Sequence, residues 1–274
     1  MVFLIILGVD AILIAVYAFL VMPRVTNKGD MELLRCDYAH RGLWDDSYPE
    51  NSLAAFEMAA RNGFGIELDI QLSKDKKVMV FHDYDLKRMC GVDKKLCDLT
   101  YSELSELSLK GTQYKIPTLS EVLKLVDGRV PLLIELKGEN QNTEVCQKAV
   151  AFLDKYDGPF CIESFNPILL SWMKKHRPRF SRGQLVTVLN KKTKGRSPIL
   201  NFALSNMLLN FLSRPDFIAV DMKIEKSIKV WICSKLFGAE VFVWTVRSNK
   251  DYVECIKSEH FTIFEKFIPW RDKK

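Results

Sequence analysis

Short apolar stretches that end in a charged or imidazole side chain recur along this chain, each followed by a segment with helical periodicity. That alternation restricts the fold to parallel α/β architecture. The first strand candidate is 36–40, followed by a helix at about 52–61 and strands at 65–72 and 78–82. Further strand candidates lie at 131–137, 160–164, 184–189, 217–221, 241–246 and 261–264, mostly separated by helix-length segments. The count approaches eight βα units, which favours a closed barrel over an open sheet. A chain of 274 residues suits one such domain better than two small ones.

Two segments break the rhythm. Residues 84–116 are rich in charged and polar side chains, with one short helical pattern around TYSELSEL, and read as an insertion over the barrel mouth. Residues 2–22 form an almost unbroken apolar run, close to the ~20 residues that span a bilayer as a helix. The run reads as a single transmembrane anchor. A cleaved signal peptide is the competing reading, but no basic residue precedes the run and no small-x-small cleavage site closes it. The expected organisation is therefore an anchor and linker at 1–30 and a barrel at 31–274. Asp10 lies near the middle of the run and reads as protonated or paired with another copy.

The basic residues Arg24, Lys28 and Arg35 all follow the run, which places the domain on the cytoplasmic side of the cell membrane. Seven cysteines without CxxC spacing suggest neither a zinc site nor a complete disulfide framework, and they fit a reducing compartment. A net charge of +6 comes from scattered lysines and arginines with no arginine-rich arm. That pattern argues against a nucleic-acid partner and suits an anionic lipid surface or a phosphate substrate.

Three acidic residues stand where strands should end: Glu67 and Asp69 in GIELDIQ, and Glu135 in LLIELKG. Residues two apart on a strand share a face, so Glu67 and Asp69 project together. Carboxylates on apolar strands are expensive unless paired or bound to a cation. Three hard oxygen donors suit Mg²⁺ or Ca²⁺ better than Zn²⁺. An ion pair with Lys137 or Arg41 is the structural alternative. Of four histidines, His40 and His82 end strands and are candidates for proton transfer near neutral pH. His176 reads as a solvated helix end and His260 as a surface turn.

HRG at 40–42 with PENS at 49–52, GIELDIQLSKDKKVMVFHD at 65–83 and IELK at 134–137 resemble the glycerophosphodiester phosphodiesterase family, as do ESFNP at 163–167 and VWTV at 243–246. The resemblance implies a TIM (β/α)8 barrel with a small insertion after the second strand region. It also implies metal-dependent hydrolysis of glycerophosphodiesters to an alcohol and sn-glycerol 3-phosphate, a step of lipid metabolism. By position, His40 matches the family's proton acceptor and His82 its proton donor. Glu67, Asp69 and Glu135 match its divalent-metal ligands, and Arg41 and Lys137 its phosphate contacts. Asn51 either braces the loop or touches substrate, or else caps the helix before Leu53. Phe165 and Trp244 either wall the pocket or belong to the core.

The anchored arrangement resembles membrane-bound bacterial members. Hydrolysis of membrane lysophospholipids in the manner of a lysophospholipase D is the nearest rival, and a catalytically silent membrane scaffold is a second. Where the family closes its last strand with an ITDxP-like run, this chain has TIFEKFIP, which puts closure of the eighth strand in doubt.

Overall fold

The computed structural model describes residues 2–24, 31–138, 142–189 and 197–270. Lys28, one of the basic residues expected to flank the anchor, lies outside them. Strands β1 (Tyr38–His40), β2 (Gly65–Leu72), β4 (Leu132–Leu136), β5 (Phe160–Ser164), β6 (Arg182–Val186), β7 (Phe217–Asp221), β8 (Glu240–Val246) and β9 (Phe261–Phe264) pair in parallel, each with the next. The cylinder closes because β1 pairs with both β2 and β9. It is an eight-stranded parallel barrel of the TIM type. Doubt over the last strand is resolved: β9 is held between β8 and β1, and Glu265 N–H donates to the Val246 carbonyl at 3.0 Å.

Two strand expectations need correction. β3 (Val78–Val80) runs antiparallel to the end of β2 and is not a barrel strand, so His82 lies just past a hairpin strand. The sixth strand starts at Arg182 and stops at Val186 rather than running 184–189. Its first residue is a buried arginine whose guanidinium donates to the Ser213 and Arg214 carbonyls, a disguise that an apolar pattern misses.

Alternation along the strands sorts their side chains into layers. Outward residues such as Ile66, Leu68, Ile134, Ile162, Val220 and Val243 pack beneath the surrounding helices. Tyr38, Leu133, Cys161, Phe217, Phe242 and Phe261 fill the lower interior, with Met31 and Leu34 in the same cluster. Above that apolar plug the inward positions turn polar, and it is these that form the site. Helix starts are fixed locally. Ser52 caps α2 (Leu53–Arg61) by accepting from Ala55 N–H, and Thr118 with Glu121 forms a reciprocal capping box on the helix Leu119–Val126.

The expected insertion is a small folded unit with its own apolar cluster of Leu86, Met89, Leu96, Leu99, Leu104 and Leu109, packed on Met79 and Phe81. The apolar amino-terminal run forms helix α1, Val2–Val21. Among the described residues, however, no helix is long and apolar enough to cross a membrane. The described side chains of α1 begin at Ile5, and what they leave falls short of the ~20 residues a span requires.

Candidate active site

His40 is the last residue of β1 and lies opposite Glu67 of β2. Past it the chain must turn sharply. Arg41 adopts φ 59° and Gly42 φ 84°, a region costly for arginine and free for glycine. A Cβ on Gly42 would also meet the Ala55 backbone at 2.8 Å. The turn aims Arg41 N–H at Glu67 Oε2, 2.9 Å away. His40 Nδ1 lies 2.7 Å from Glu265 Oε2, and its Nε2 lies 3.9 Å from Glu67 Oε2. Arg247 Nε donates to the other Glu265 oxygen at 2.6 Å.

Glu67 and Asp69 share the inner face of β2, and register places Asp69 beside Glu135 and Glu135 beside Glu163. One oxygen from each of Glu67, Asp69 and Glu135 lies within 4.8 Å of the others, and all three residues are buried. Three hard anionic donors this close fit a divalent cation that prefers oxygen. Lys137 Nζ sits 2.9 Å from Asp69 and 3.0 Å from Glu135, while Arg41 Nε is 3.5 Å from Asp69. Both the metal-ligand reading and the ion-pair reading of this cluster therefore have geometric support.

The electrostatics reflect crowding. Burial, then repulsion from Asp69, raises the Glu67 carboxyl well above the usual carboxylate range. Burial also lifts Glu135, to about 7, although Lys137 opposes it. Asp69 goes the other way: burial is outweighed by Lys137, His82 and Arg41, and Asn51 Nδ2 donates to it at 2.9 Å. Glu163, absent from the expected ligands, is buried and raised by desolvation and by Glu67 and Glu135.

His82 Nδ1 lies 2.6 Å from Asp83 Oδ1. Burial lowers both histidines below 6.5; Glu265 partly offsets this for His40, as Asp69 and Asp83 do for His82. Arg88, from the insertion, donates to Asp83 at 2.6 Å and clamps both oxygens of Glu50 at 2.7 Å. Glu50 in turn accepts from Arg41 at 2.8 Å. Each histidine thus has a carboxylate partner that an arginine holds.

These groups surround a cavity of about 170 Å³ lined by His40, Arg41, Glu67, His82, Glu135 and Glu163, with Phe165 and Trp244 as an aromatic wall. The two rings meet edge to face at 5.6 Å, and Trp244 Nε1 donates to the Ala219 carbonyl. Asn51 does not cap the following helix, a task Ser52 performs; it is buried against Asp69 at φ 55°. His176 is the exposed end of its helix, stacked on Trp172. His260 is not a free surface turn: its ring is largely buried, 3.1 Å from Glu225.

Sequence reasoning passed over Asp83, Glu50, Arg88, Arg247 and the pairing of Glu265. Asp83 was legible, since it directly follows His82. Arg88 and Glu50 also have partners near in sequence, Asp83 and Arg41, but their mutual clamp spans 38 residues, and Glu265 meets His40 across 225.

A profile of the Glycerophosphoryl diester phosphodiesterase family matches residues 40–264. YhdW of Bacillus subtilis (strain 168), provisionally assigned as a glycerophosphodiester phosphodiesterase, is 30% identical over 220 residues, 77% of this chain and 86% of that protein. The fold is similar to that of an Oleispira antarctica phosphodiesterase solved in complex with the product sn-glycerol-3-phosphate. That match has TM-score 0.73 and 24% identity and covers 86% of this chain and 94% of the other. The glycerophosphodiester phosphodiesterase of Thermotoga maritima aligns with TM-score 0.64 and 32% identity over 84% of this chain and 93% of the other. With the profile spanning the barrel from its first catalytic-face histidine to its closing strand, the chain belongs to the glycerophosphoryl diester phosphodiesterase family and is an enzyme of that class.

Proposed function

We propose that the enzyme hydrolyses glycerophosphodiesters to an alcohol and sn-glycerol 3-phosphate, with His40 and His82 as acid–base groups and a Mg²⁺ or Ca²⁺ ion held by Glu67, Asp69 and Glu135. The observation that carries this reading is one cavity lined by two histidines, each braced by a carboxylate, and by Glu67 and Glu135, with a carboxylate oxygen of buried Asp69 within 4.8 Å of both. When bound, the cation polarises a phosphoryl oxygen and offsets charge that develops there.

The remaining work falls to side chains. With Nδ1–H donated to Glu265, His40 presents its Nε2 lone pair to the cavity and accepts the proton of the attacking hydroxyl, from water or the glycerol 2-hydroxyl. His82, whose charged form burial opposes while Asp69 and Asp83 favour it, gives its proton to the departing alcohol oxygen. Arg41, which lines the cavity, and Lys137, paired with Asp69 and Glu135 beneath it, would hold phosphoryl oxygens. Asn51 keeps Asp69 in position, and Phe165 and Trp244 wall the pocket. The sn-glycerol-3-phosphate seen in the Oleispira antarctica relative supports this product.

A lysophospholipid is the second substrate reading, favoured by the apolar wall of Phe165, Leu185, Trp244 and Ile263. Purified enzyme incubated with glycerophosphocholine and with lysophosphatidylcholine separates the two, since only the second carries an acyl chain. Release of glycerol 3-phosphate that falls by about 10²–10⁴ in His40→Ala supports the mechanism. His82→Ala should spare a nitrophenyl ester, whose leaving group needs little protonation. Unchanged turnover in both variants would overturn the assignment.

We further propose that α1 tethers residues 31–274 to the cell membrane as a single-pass anchor, with the barrel in the cytoplasm. Its exposed Ile5, Ile12, Leu13 and Ile14 side chains support contact with lipid.

A further inference from the structure

Beyond the helix α1, one side of the barrel carries large apolar side chains turned to solvent. On α8 (Pro198–Ser205) these are Ile199, 82% exposed, and Phe202, 64% exposed. On α10 (Ile228–Trp231) and the π-helical turn Ile232–Leu236 that continues it, they are Ile228, 70% exposed, with Trp231 and Leu236. The two helices are neighbours: Lys229 Nζ donates to the Ser205 carbonyl, and Cys233 Sγ lies 3.8 Å from Met207 Sδ.

The root of α1 enters this same side. Cys233 Sγ meets the Val21 carbonyl at 3.8 Å, Asn210 Nδ2 donates to that carbonyl at 3.1 Å, and Phe19 packs on Phe211 at 5.8 Å. Arg214 donates to the Phe19 and Met22 carbonyls, each at 2.8 Å, which fixes the helix to the barrel.

We infer that α8 and α10 form a second membrane contact, through which the barrel lies on an anionic phospholipid monolayer beside its anchor. The inference rests on the reading of α1 as that anchor. A helix rooted rigidly in this face brings the face to the lipid wherever the anchor inserts. Lys223, Lys226 and Lys235 are exposed beside these apolar residues; Lys226 pairs with Glu254 at 2.6 Å and Lys235 lies 3.8 Å from Glu259, which leaves Lys223 to meet anionic headgroups. Trp231 has the amphipathic ring favoured at that depth. A narrow crevice lined by Val186, Leu189 and Leu204 shares Phe165 and Leu185 with the catalytic cavity, so the apolar surface continues from α8 to the site.

The test uses the full chain reconstituted into phosphatidylcholine–phosphatidylglycerol vesicles, with and without brominated acyl chains. Fluorescence assigned to Trp231, taken as wild type minus Trp231→Phe, should fall about twofold in brominated vesicles. Combined Ile199→Ser, Phe202→Ser and Ile228→Ser should abolish that fall while hydrolysis of soluble glycerophosphocholine stays unchanged. Protein that floats with vesicles but keeps Trp231 unquenched overturns the membrane contact and leaves the anchor standing. If the chain does not float with vesicles at all, the anchor and the contact both fall. Cross-linking of two copies through α8, with Trp231 unquenched, would assign the face to a second copy and likewise overturn the inference.

Discussion

Glu265 stands where the family resemblance calls for aspartate, and its longer side chain reaches His40 Nδ1 at 2.7 Å while Arg247 holds its second oxygen. That contact selects the imidazole tautomer that leaves Nε2 free for the substrate side. Glu265→Gln keeps the shape but can offer its amide hydrogens to His40, so kcat should fall about tenfold or more with little change in KM. The same carboxylate leaves a stability signature. Burial opposes its ionisation, but hydrogen bonds to His40 and Arg247 win, and its pKa drops from the usual 4.5 to about 2. A carboxylate depressed on folding contributes stability above its unfolded value, and that contribution is lost as pH falls toward the folded one. Urea midpoints should therefore drop more steeply between those values in wild type than in Glu265→Gln. Parallel curves would mean that the pair contributes nothing to folding. Glu135→Gln tests the other half of the site: it removes one negative charge from a crowded trio, so cation affinity measured by calorimetry should fall while excess cation partly restores activity. Chelator-treated enzyme that retained full activity would make the trio structural.

The insertion acts on the site through Arg88, which sits on α3 (Lys87–Cys90) and reaches back to Asp83 and Glu50. Through Asp83 it fixes His82, and through Glu50 it fixes Arg41. Arg88 is substantially exposed, so its pairs contribute about 1 kcal/mol or less to stability. Arg88→Ala should thus lower kcat several-fold at an almost unchanged thermal midpoint, measured by steady-state kinetics and calorimetry; a large loss of stability with normal kcat would make it a purely structural clamp. How much of this was legible follows from range. The insertion's existence was visible because charged residues interrupt a strand–helix rhythm, and GIELDIQ was visible because its carboxylates interrupt an apolar strand. β3 was misread as a barrel strand because VMVF carries the same apolar signal in either direction, while its antiparallel pairing with β2 is a tertiary fact. Arg88 lies only five residues past Asp83, but its clamp on Glu50 carried no signal, since nothing local marks a cation whose second partner lies 38 residues back.

At the scale of the whole molecule, the barrel closes despite its divergent last strand because β9 keeps the alternation that closure needs: Phe261 and Ile263 join the interior and Phe264 the outer layer. Strand period survives a changed loop, which is why the count of units foretold the barrel while the TIFEKFIP loop gave no sign of the His40 contact. Two features favour the proposed cytoplasmic placement of the barrel. Arg24 follows α1 directly and donates to the Pro178 carbonyl, so a basic group stands at the junction of helix and barrel, where cytoplasmic flanks concentrate positive charge. All seven cysteines are free thiols, and Cys146, Cys161, Cys233 and Cys255 are buried, a state that a reducing compartment preserves. Protease added to intact cells should therefore leave the barrel uncut, and the same protease should cut it once the cells are opened. The exposed insertion offers the probe: Lys87, Lys94 and Lys95 lie on its surface, within reach of trypsin only from the side the barrel occupies. Cleavage there in intact cells, with activity present beforehand, would place the barrel outside and leave the thiols to be explained by burial alone.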